Sequence, residues 1–264
     1  MEKNIHTFAI LAYKESEYLE ECIKSVLNQT VKTNAVIVTS TPNDYIFDLS
    51  QKYKLSIIEH KNSEGIADDF NNAVSCINSE LVTVAHQDDI YDKFYAENIL
   101  KEYNKYKKSI ILFTDYYEIR NNKRVYKNKN HTIKKILLTP IKLKLFSSFK
   151  FNKRIILSFG NSICCPSVTF CKENINTNKI FISDFKCNMD WLAWERLSKI
   201  KGNFIYINKP LMGHRVHEES TTTEIINSGV RTKEDYEMFL KFWPKTIAKL
   251  INRFYKNSEK SNKV

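Results

Sequence analysis

Short apolar runs alternate with segments of helical periodicity through the first half of the chain. The runs at 7–12 and 81–85 are too short for helices and predict buried strands. Between such runs, apolar side chains recur three or four positions apart, as at Leu19 and Cys22, which predicts an amphipathic helix with Ser16 as its N-cap. The same criteria predict further strands at 35–39, 55–59 and 109–114, and further helices at 68–77 and 92–107.

This alternation of strands and helices predicts a mostly parallel sheet with helices on both faces, hence an α/β fold. Polar clusters follow the first, second and fourth predicted strands, at 13–15, 39–44 and 86–89. The carboxyl ends of parallel strands lie at one edge of a sheet, and ligands bind there. We therefore expect these three clusters to form one site.

The second half of the chain has a weaker pattern. It contains a basic stretch, a Cys-Cys-Pro-Ser segment at 164–167, a predicted helix near 190–200 and a predicted polar turn at 213–223. In the C-terminal tail, apolar residues such as Leu250 and Phe254 recur at helical spacing between lysines and an arginine. This spacing predicts a final amphipathic helix.

The composition is that of a globular protein, with 42% hydrophobic and 27% charged residues among 264. No apolar run approaches the about twenty residues of a membrane span, and the first residues lack the apolar centre of a signal peptide. Six cysteines without a C-x-x-C motif are typical of reduced thiols in a cytosolic protein. The five glycines do not form the glycine-rich motifs of dinucleotide or P-loop sites.

The net charge of +11 is concentrated in two segments. Residues 120–154 carry twelve basic and no acidic side chains, and residues 241–264 carry seven basic and one acidic. Phosphate attracts such segments, so a nucleic-acid-binding protein is one interpretation. At 133–151, however, lysines alternate with Leu, Ile and Phe, which suits an anionic bilayer surface at least as well. A solvated basic face over a partly buried segment is a third interpretation.

The first candidate for chemistry is the sequence His86-x-Asp88-Asp89 at the end of a predicted strand. Two carboxylates and an imidazole can hold a hard divalent cation, which neutralises the charge of a leaving diphosphate. Taken alone, the two aspartates fit a solvated helix N-cap better, because such pairs are common.

Six segments in register resemble the family 2 glycosyltransferases, which are inverting GT-A enzymes that transfer a sugar from a nucleotide diphosphate. The segments are 8–30, 35–44, 62–74 (NSEGIADDFNNAV), 81–89 (LVTVAHQDD), 189–202 (MDWLAWERLSKIKG) and 214–220 (HRVHEES). The fourth takes the place of the strand that ends in the family's D-x-D motif, and the fifth that of its acid-containing helix. The resemblance covers about residues 5–220.

The resemblance implies a role for each matching position. Asp88 would be the metal ligand with His86 and Asp89 beside it, for Mn²⁺ or Mg²⁺, and Asp190 would be the catalytic base. Arg215 and His217 would lie on a loop that closes over the diphosphate or the metal. The remaining donor-binding positions would be Ala12, Tyr13, Glu15, Thr39, Ser40, Gly65, Asn71 and Gln87.

The sequence departs from the family pattern in four ways, at five positions. Thr39 and Ser40 stand where an acidic pair usually contacts the base, and His86 replaces the first Asp of D-x-D. Phe70 replaces a common Arg near the phosphates, and Met189 replaces the usual Glu before the base. The base of the donor, expected to be uracil, and the choice of metal are therefore open.

The chemistry agrees with the role that the resemblance gives Asp190. An acceptor hydroxyl that attacks an anomeric carbon needs a carboxylate to take its proton. As an N-cap of its helix, Asp190 could also have a purely structural role, and the two roles are compatible. Of the neighbouring aromatic residues, Trp191 could stack on a sugar or pack in the core, whereas Trp194 is expected in the core.

The resulting expectation is a GT-A-like (Rossmann-like) α/β fold with an irregular acceptor-side second half and a C-terminal helical extension. Residues 1–115 would bind the nucleotide-sugar, 116–222 the acceptor, and 223–264 would form a basic tail. The enzyme would transfer a hexose or N-acetylhexosamine to a glycan or polyprenyl-linked glycan of a bacterial surface polysaccharide, such as capsule or lipopolysaccharide. It would work in the cytoplasm, peripherally on the inner face of the membrane.

Two other functions stay open. A non-catalytic nucleotide- or glycan-binding module of the same fold is suggested by the four departures. A nucleic-acid-binding protein is suggested by the net charge alone, and the absence of a recognisable base-stacking motif argues against nucleic acid as a partner.

Overall fold

A single mixed sheet of nine strands runs through the computed structural model, which describes residues 5–177, 179–217 and 230–259. The strands are β1 (His6–Ala12), β2 (Asn34–Thr39), β3 (Ser56–Glu59), β4 (Leu81–His86), β5 (Ile90–Tyr91), β6 (Ser109–Arg120), β7 (Lys123–Val125), β8 (Val168–Cys171) and β9 (Asn203–Val216). The helices of the described residues are α1 (Leu19–Leu27), α2 (Asp44–Tyr53), α3 (Ile66–Ser75), α4 (Tyr95–Lys105), α5 (Lys129–Leu137), α6 (Thr139–Lys142), α7 (Lys150–Ile155), α8 (Met189–Leu197), α9 (Val230–Leu240) and α10 (Lys245–Glu259).

The strand order is β3-β2-β1-β4-β8-β6-β9-β5, with β7 paired to β6. Strands β3, β2, β1 and β4 are parallel to one another, and β6 is parallel to β9. Strand β8 lies antiparallel between β4 and β6, so β4 and β6 point the same way. The carboxyl ends of β1, β4, β6 and β9 therefore lie at one edge of the sheet.

The helices cover both faces of this sheet, each face with its own core. Helices α1, α2 and α4 pack over one face, around residues such as Phe8 and Tyr95. Helices α3, α6, α8, α9 and α10 contribute to the core of the other face, where Trp191 and Trp194 are completely buried. This architecture confirms the expected GT-A-like α/β fold. Both tryptophans belong to the core.

Several elements differ from the local sequence pattern. Helix α1 begins at Leu19 without a side-chain cap, so the expected N-cap at Ser16 is wrong. The polar turn after β2 leads into α2, whose N-cap Asn43 accepts a hydrogen bond from the Ile46 amide. Strand β6 extends to Arg120, six residues beyond the predicted end.

The C-terminal predictions have mixed outcomes. Helix α10 confirms the amphipathic helix expected in the tail. Of the predicted turn at 213–223, residues 213–216 are instead the end of β9, and 218–223 lie outside the described residues.

The basic stretch folds back on the sheet through α5, α6 and α7. The ammonium of Lys153 is buried and donates to the carbonyl oxygens of Ile200 and Gly202, at 2.5 and 2.9 Å. His131 Nε2 lies 2.7 Å from Asp115 Oδ1, which anchors α5 to β6. Polar anchors thus hold this segment while many of its apolar side chains face solvent.

No helix among the described residues has the length and apolar character that a membrane crossing requires. Strand β6 continues through the predicted boundary between residues 115 and 116. The division into 1–115, 116–222 and 223–264 therefore stays a prediction about where functions lie along the chain.

Candidate active site

Three side chains with possible metal-ligand atoms lie close together at the carboxyl end of β4. One possible ligand atom from each of His86, Asp88 and Asp89 lies within 4.8 Å of the others. The Asp89 side chain is completely buried, and its Oδ1 accepts hydrogen bonds from the Arg215 amide at 2.9 Å and from His214 Nδ1 at 3.1 Å.

This group fits a hard divalent cation. Among the described residues, Asp89 Oδ2 and His86 Nε2 are buried yet have no hydrogen-bond partner. A buried polar atom without a partner is costly, so such atoms are candidates for metal ligands. An imidazole and two carboxylates are an acceptable donor set for Mn²⁺, and the carboxylates suit Mg²⁺.

The electrostatics keep this group suited to bind a cation. Burial lowers the pKa of His86, which outweighs the neighbouring aspartates and favours the neutral, ligating imidazole. Burial acts to raise the pKa of Asp88, but the hydrogen bond from His217 and the nearby imidazoles outweigh it, so the pKa is lowered. Burial also acts to lower the pKa of His214, yet the charge of Asp89 raises it overall.

Arg215 joins the end of β9 to three other parts of the molecule. Its guanidinium donates to Glu21 Oε2 at 2.5 Å, to Asn122 Oδ1 at 3.2 Å and to the Asp88 carbonyl oxygen at 3.0 Å. It also lies over the ring of Tyr18, 4.4 Å from the ring centroid. The side chain is buried and its hydrogen-bond donors are engaged. Arg215 therefore has a structural role and holds the acidic group against the neighbouring elements.

His217 lies directly against the acidic group. Its Nε2 is 3.1 Å from Asp88 Oδ2, and its ring packs on Tyr18 with 5.2 Å between centroids. Arg215 and His217 thus both contact Asp88, although Arg215 lies in β9 and not on a loop. That the two residues close over a diphosphate or a metal stays a prediction.

The polar residues that follow β1 and β4 are tied together through Gln87. Its side-chain oxygen accepts from the Tyr13 amide at 2.9 Å, and its nitrogen donates to the Tyr13 carbonyl oxygen at 3.1 Å. This fixes the backbone after Ala12 and leaves the Tyr13 ring about half exposed. Glu15 is exposed beyond it.

The segment after β2 lies against the segment after β1. The Lys14 amide donates to Thr41 Oγ1 at 2.6 Å, which brings the two strand ends together. The hydroxyl of Thr39 is buried and accepts from the Thr41 amide, whereas Ser40 is half-buried. Thr39 therefore holds the turn, and Ser40 has the more accessible hydroxyl of the two.

Gly65 lies just before α3, and Asn71 lies within it. Gly65 precedes the helix with φ of +134°, where other residues are strained, and the space beside its Cα is open. Both polar ends of the Asn71 amide bond to the Phe181 backbone, at 2.8 and 3.0 Å. Asn71 therefore positions the segment before α8, and both polar atoms of its amide are used for that contact.

Asp190 lies in the first turn of α8 and is half-buried. Its Oδ2 accepts from Asn161 Nδ2 at 2.7 Å, and its Oδ1 accepts from the Trp191 amide at 2.7 Å. Burial raises the pKa of Asp190 against these hydrogen bonds. The Asp190 charge acts on the pKa of His86, and the charges of Asp190 and Asp89 both act on the pKa of Cys164 and of Cys165, so Asp190 lies near the acidic group. We call the region between Asp190 and the acidic group the cleft.

Two further residues of the candidate site were not predicted from the sequence. Asn161 holds the Asp190 carboxylate but belongs to a loop without periodicity. Lys134 of α5 lies over the Tyr116 ring, 5.3 Å from its centroid, and its charge lowers the pKa of both Asp190 and His214. Its only sequence signal was membership of the basic stretch.

Known proteins resemble this chain in sequence and in fold. A profile described as glycosyl transferase family 2 matches residues 7–176. Glycosyltransferase GlyG of Streptococcus pneumoniae serotype 4 is 21% identical over 212 residues, which cover 77% of this chain and 68% of that protein.

Solved structures share the fold. TarS 1-349 of S. aureus in complex with UDP-GlcNAc superposes with a TM-score of 0.66 at 15% identity, covering 94% of this chain and 70% of that one. The mannosyltransferase PcManGT from Pyrobaculum calidifontis in complex with GDP-Man and Mn²⁺ gives 0.64 at 13% identity, covering 95% and 70%.

Proposed function

Because the chain belongs to glycosyl transferase family 2, we propose that it transfers one sugar, with inversion, from a nucleotide-diphosphate donor to a glycan acceptor. The observation that carries this proposal is that two features lie near each other. They are the group of His86, Asp88 and Asp89, and the Asp190 carboxylate, whose charge acts on the pKa of His86.

The acidic group would hold Mn²⁺ or Mg²⁺. Asp88 and Asp89 offer carboxylate oxygens, and His86 offers a neutral nitrogen. A bound cation supplies positive charge to a leaving diphosphate. The hydrogen bond from His217 to Asp88 and that from His214 to Asp89 orient the two carboxylates, as outer partners of metal ligands commonly do.

Asp190 would act as the general base. As the acceptor oxygen bonds to the anomeric carbon, its proton passes to Asp190, and the bond from that carbon to the diphosphate breaks with its electron pair on oxygen. A single displacement of this kind inverts the anomeric centre. Asn161 fixes the carboxylate, and its raised pKa makes it a better proton acceptor than an exposed aspartate.

Lys134 would supply the fixed cation that the usual Arg supplies elsewhere in the family. Phe70 stands at that position and packs edge-on against His86, with 5.0 Å between centroids. Arg215 is engaged by Glu21 and Asn122. The charge of Lys134 reaches both sides of the cleft, so it can stabilise a developing phosphate charge.

The donor would be a UDP-sugar that carries a hexose or an N-acetylhexosamine. Its nucleoside would lie beside Tyr13 and Gln87, with Ser40 as the nearest accessible hydroxyl after β2. Support comes from the shared fold of TarS in complex with UDP-GlcNAc. The complex of PcManGT with GDP-Man makes a guanine donor the alternative to be tested.

The acceptor would be a glycan linked to a polyprenyl lipid, in the synthesis of a bacterial surface polysaccharide. The enzyme would then work at the cytoplasmic face of the membrane, where the two basic segments attract anionic lipid. In this proposal residues 1–115 bind the donor, 116–222 the acceptor, and 223–264 assist at the membrane.

Release of nucleoside diphosphate from a panel of nucleotide-sugars tests the activity. We expect slow release from one donor in Mn²⁺ or Mg²⁺, lost with EDTA and in Asp88→Ala. Asp190→Asn should keep donor binding, read by thermal shift, and lose about 10²- to 10⁴-fold in transfer. Asp92→Asn, near the acidic group in sequence, is the matched control and should behave as wild type.

The other outcomes distinguish the remaining functions. Donor binding without release, unchanged by Asp190→Asn even with an acceptor extract, would identify a non-catalytic module. Salt-sensitive binding to DNA or RNA that Asp88→Ala leaves unchanged, together with no donor binding, would identify a nucleic-acid-binding protein.

A further inference from the structure

One flank of the molecule exposes large apolar side chains between α6 and α7. Leu145 is 79% exposed and Phe151 is 73% exposed, and Leu143 and Phe149 are also largely in water. Single exposed apolar residues are ordinary, but a continuous group of this kind marks a surface that contacts something.

Helix α10 adds a second group of such residues. Ala248, Ile251 and Tyr255 face the core. Leu250 and Phe254, one turn apart, face outward, and Phe254 is 69% exposed. A surface helix ordinarily has one apolar stripe, so a second stripe that no described residue covers indicates an external partner.

The two groups belong to the same flank. Tyr255 of α10 lies against Gly160, just after α7, so closely that a Cβ at Gly160 would be 2.7 Å from the ring. Before α10, the Trp243 ring packs on Phe159 with 5.1 Å between centroids, and its Nε1 donates to the Ser158 carbonyl oxygen at 2.7 Å. We call this surface the apolar flank; it comprises Leu143, Leu145, Phe149, Phe151, Leu250 and Phe254.

The charge around the apolar flank is positive. The chain segments that form it, 120–154 and 241–264, contain one acidic residue between them. The exposed cations beside it are Lys142, Lys150, Lys245, Lys249, Arg253 and Lys256. An anionic bilayer complements both features, because its headgroups attract the cations and its hydrocarbon takes the Leu and Phe side chains. A nucleic acid would satisfy the charges but leave the apolar side chains in water.

We propose that the apolar flank docks on an anionic phospholipid bilayer. Its role rests on the proposed function, because a polyprenyl-linked acceptor is held in that bilayer. The flank leads towards the proposed base: Tyr255 packs on Trp191 with 6.0 Å between centroids, and Asn161, next to Gly160, bonds Asp190. A docked molecule thus has the acceptor side of its cleft close to the lipid surface.

Co-sedimentation of the full chain with vesicles, without donor, tests the docking. Vesicles of phosphatidylcholine with phosphatidylglycerol are compared with phosphatidylcholine alone, at low and high salt. We expect binding to the anionic vesicles that salt weakens. The double variants Leu145→Ser/Phe151→Ser and Leu250→Ser/Phe254→Ser should each bind about tenfold more weakly or less.

The double variant Leu27→Ser/Phe47→Ser is the matched control. It removes two exposed apolar side chains from α1 and α2, on the opposite face of the sheet, and should bind as wild type. Because all four positions of the flank variants are exposed, thermal melts should stay close to wild type.

Three results would overturn the proposal. They are absence of wild-type binding to anionic vesicles, equal binding to neutral vesicles, and unchanged binding in both flank variants. A dimer that light scattering detects and the flank variants dissociate would also overturn it, in favour of a second copy as the occupant. Nucleotide release from a donor does not enter this assay, so failure of docking and failure of the proposed function are separable.

Discussion

At the scale of single residues, two cations beside the cleft have different roles. Arg215 is held by partners on three sides, which suits a residue that fixes the shape of the acidic group. Lys134 is half-buried over an aromatic ring, and its charge acts on Asp190 and on His214. Under the proposed function, Lys134 would be the cation that stabilises charge developing during transfer.

Replacing Lys134 by Met should slow transfer and shift its pH dependence. The Lys134 charge lowers the pKa of Asp190, so its removal raises that pKa. The rate, which needs ionised Asp190, should then reach its plateau at a higher pH than in wild type. We expect a loss of about 10- to 100-fold in kcat from the missing stabilisation of phosphate charge, measured as nucleotide release across pH.

The matched control for Lys134 is Lys127→Met, an exposed lysine of the same basic stretch. It should leave both the rate and the pH profile unchanged. If the two variants behave alike, the cleft position of Lys134 has no special role.

The sequence could predict those parts of the candidate site that follow the ends of strands or that lie in motifs in register with the family. The candidate metal-binding group lies at the end of a buried strand, because β4 brings His86 and the residues after it to the carboxyl edge of the sheet. Asn161 and Lys134 were not predictable, because loop and helix residues far apart in sequence meet only through tertiary packing. Asn71 was predicted from a motif to bind the donor, but its amide bonds to the backbone of Phe181.

At the scale of elements, local patterns predicted the interior elements best. Strands β1, β2 and β4 are short segments in which most residues are apolar, and such segments have few alternatives. Helix α2 was missed because its start, the segment 40–44, has the composition of a turn. The antiparallel direction of β8 depends on its neighbours β4 and β6, and periodicity carries no information about them.

Arg215→Met should destabilise the connection between β9 and α1. The variant leaves Asn122 and the Asp88 carbonyl oxygen without their charged donor, so we expect a loss of about 2 kcal/mol in the free energy of unfolding. Chemical denaturation measures the effect.

The control for Arg215 is Lys24→Met, which removes an exposed ion pair with Glu20 within α1. Such pairs contribute about 0–1 kcal/mol, so the variant should unfold close to wild type. Equal stability of the two variants would contradict the structural role of Arg215.

At the scale of the whole molecule, one buried histidine links stability to pH. His6 in β1 is buried with its Nε2 2.8 Å from Thr83 Oγ1, and burial lowers its pKa to about 3. Between pH 6.5 and that value the unfolded chain binds a proton that the folded chain does not. This contribution to stability is therefore present above pH 6.5 and is lost as the pH falls.

The corresponding variant is His6→Gln, which can still hydrogen bond to Thr83 but does not titrate. Between pH 7.5 and 5.0 wild type should lose about 2 kcal/mol more free energy of unfolding than this variant. Denaturation curves at several pH values measure the difference. His60→Gln, on the turn after β3, is the control and should follow wild type; identical curves for His6→Gln and wild type would contradict the prediction.

The reversed strand in the middle of the sheet has a consequence for how the protein is made. Strand β8 lies between β4 and β6 but is synthesised roughly fifty residues after β6, a delay of several seconds on a ribosome. Throughout that interval β4 and β6 each present an open edge to other nascent chains. Closure of the sheet is a late, long-range event, and such events are slow. The gap between β4 and β6 therefore closes only when the four residues of Val168–Cys171 have emerged and paired, and the other edge of β6 stays open until β9 follows.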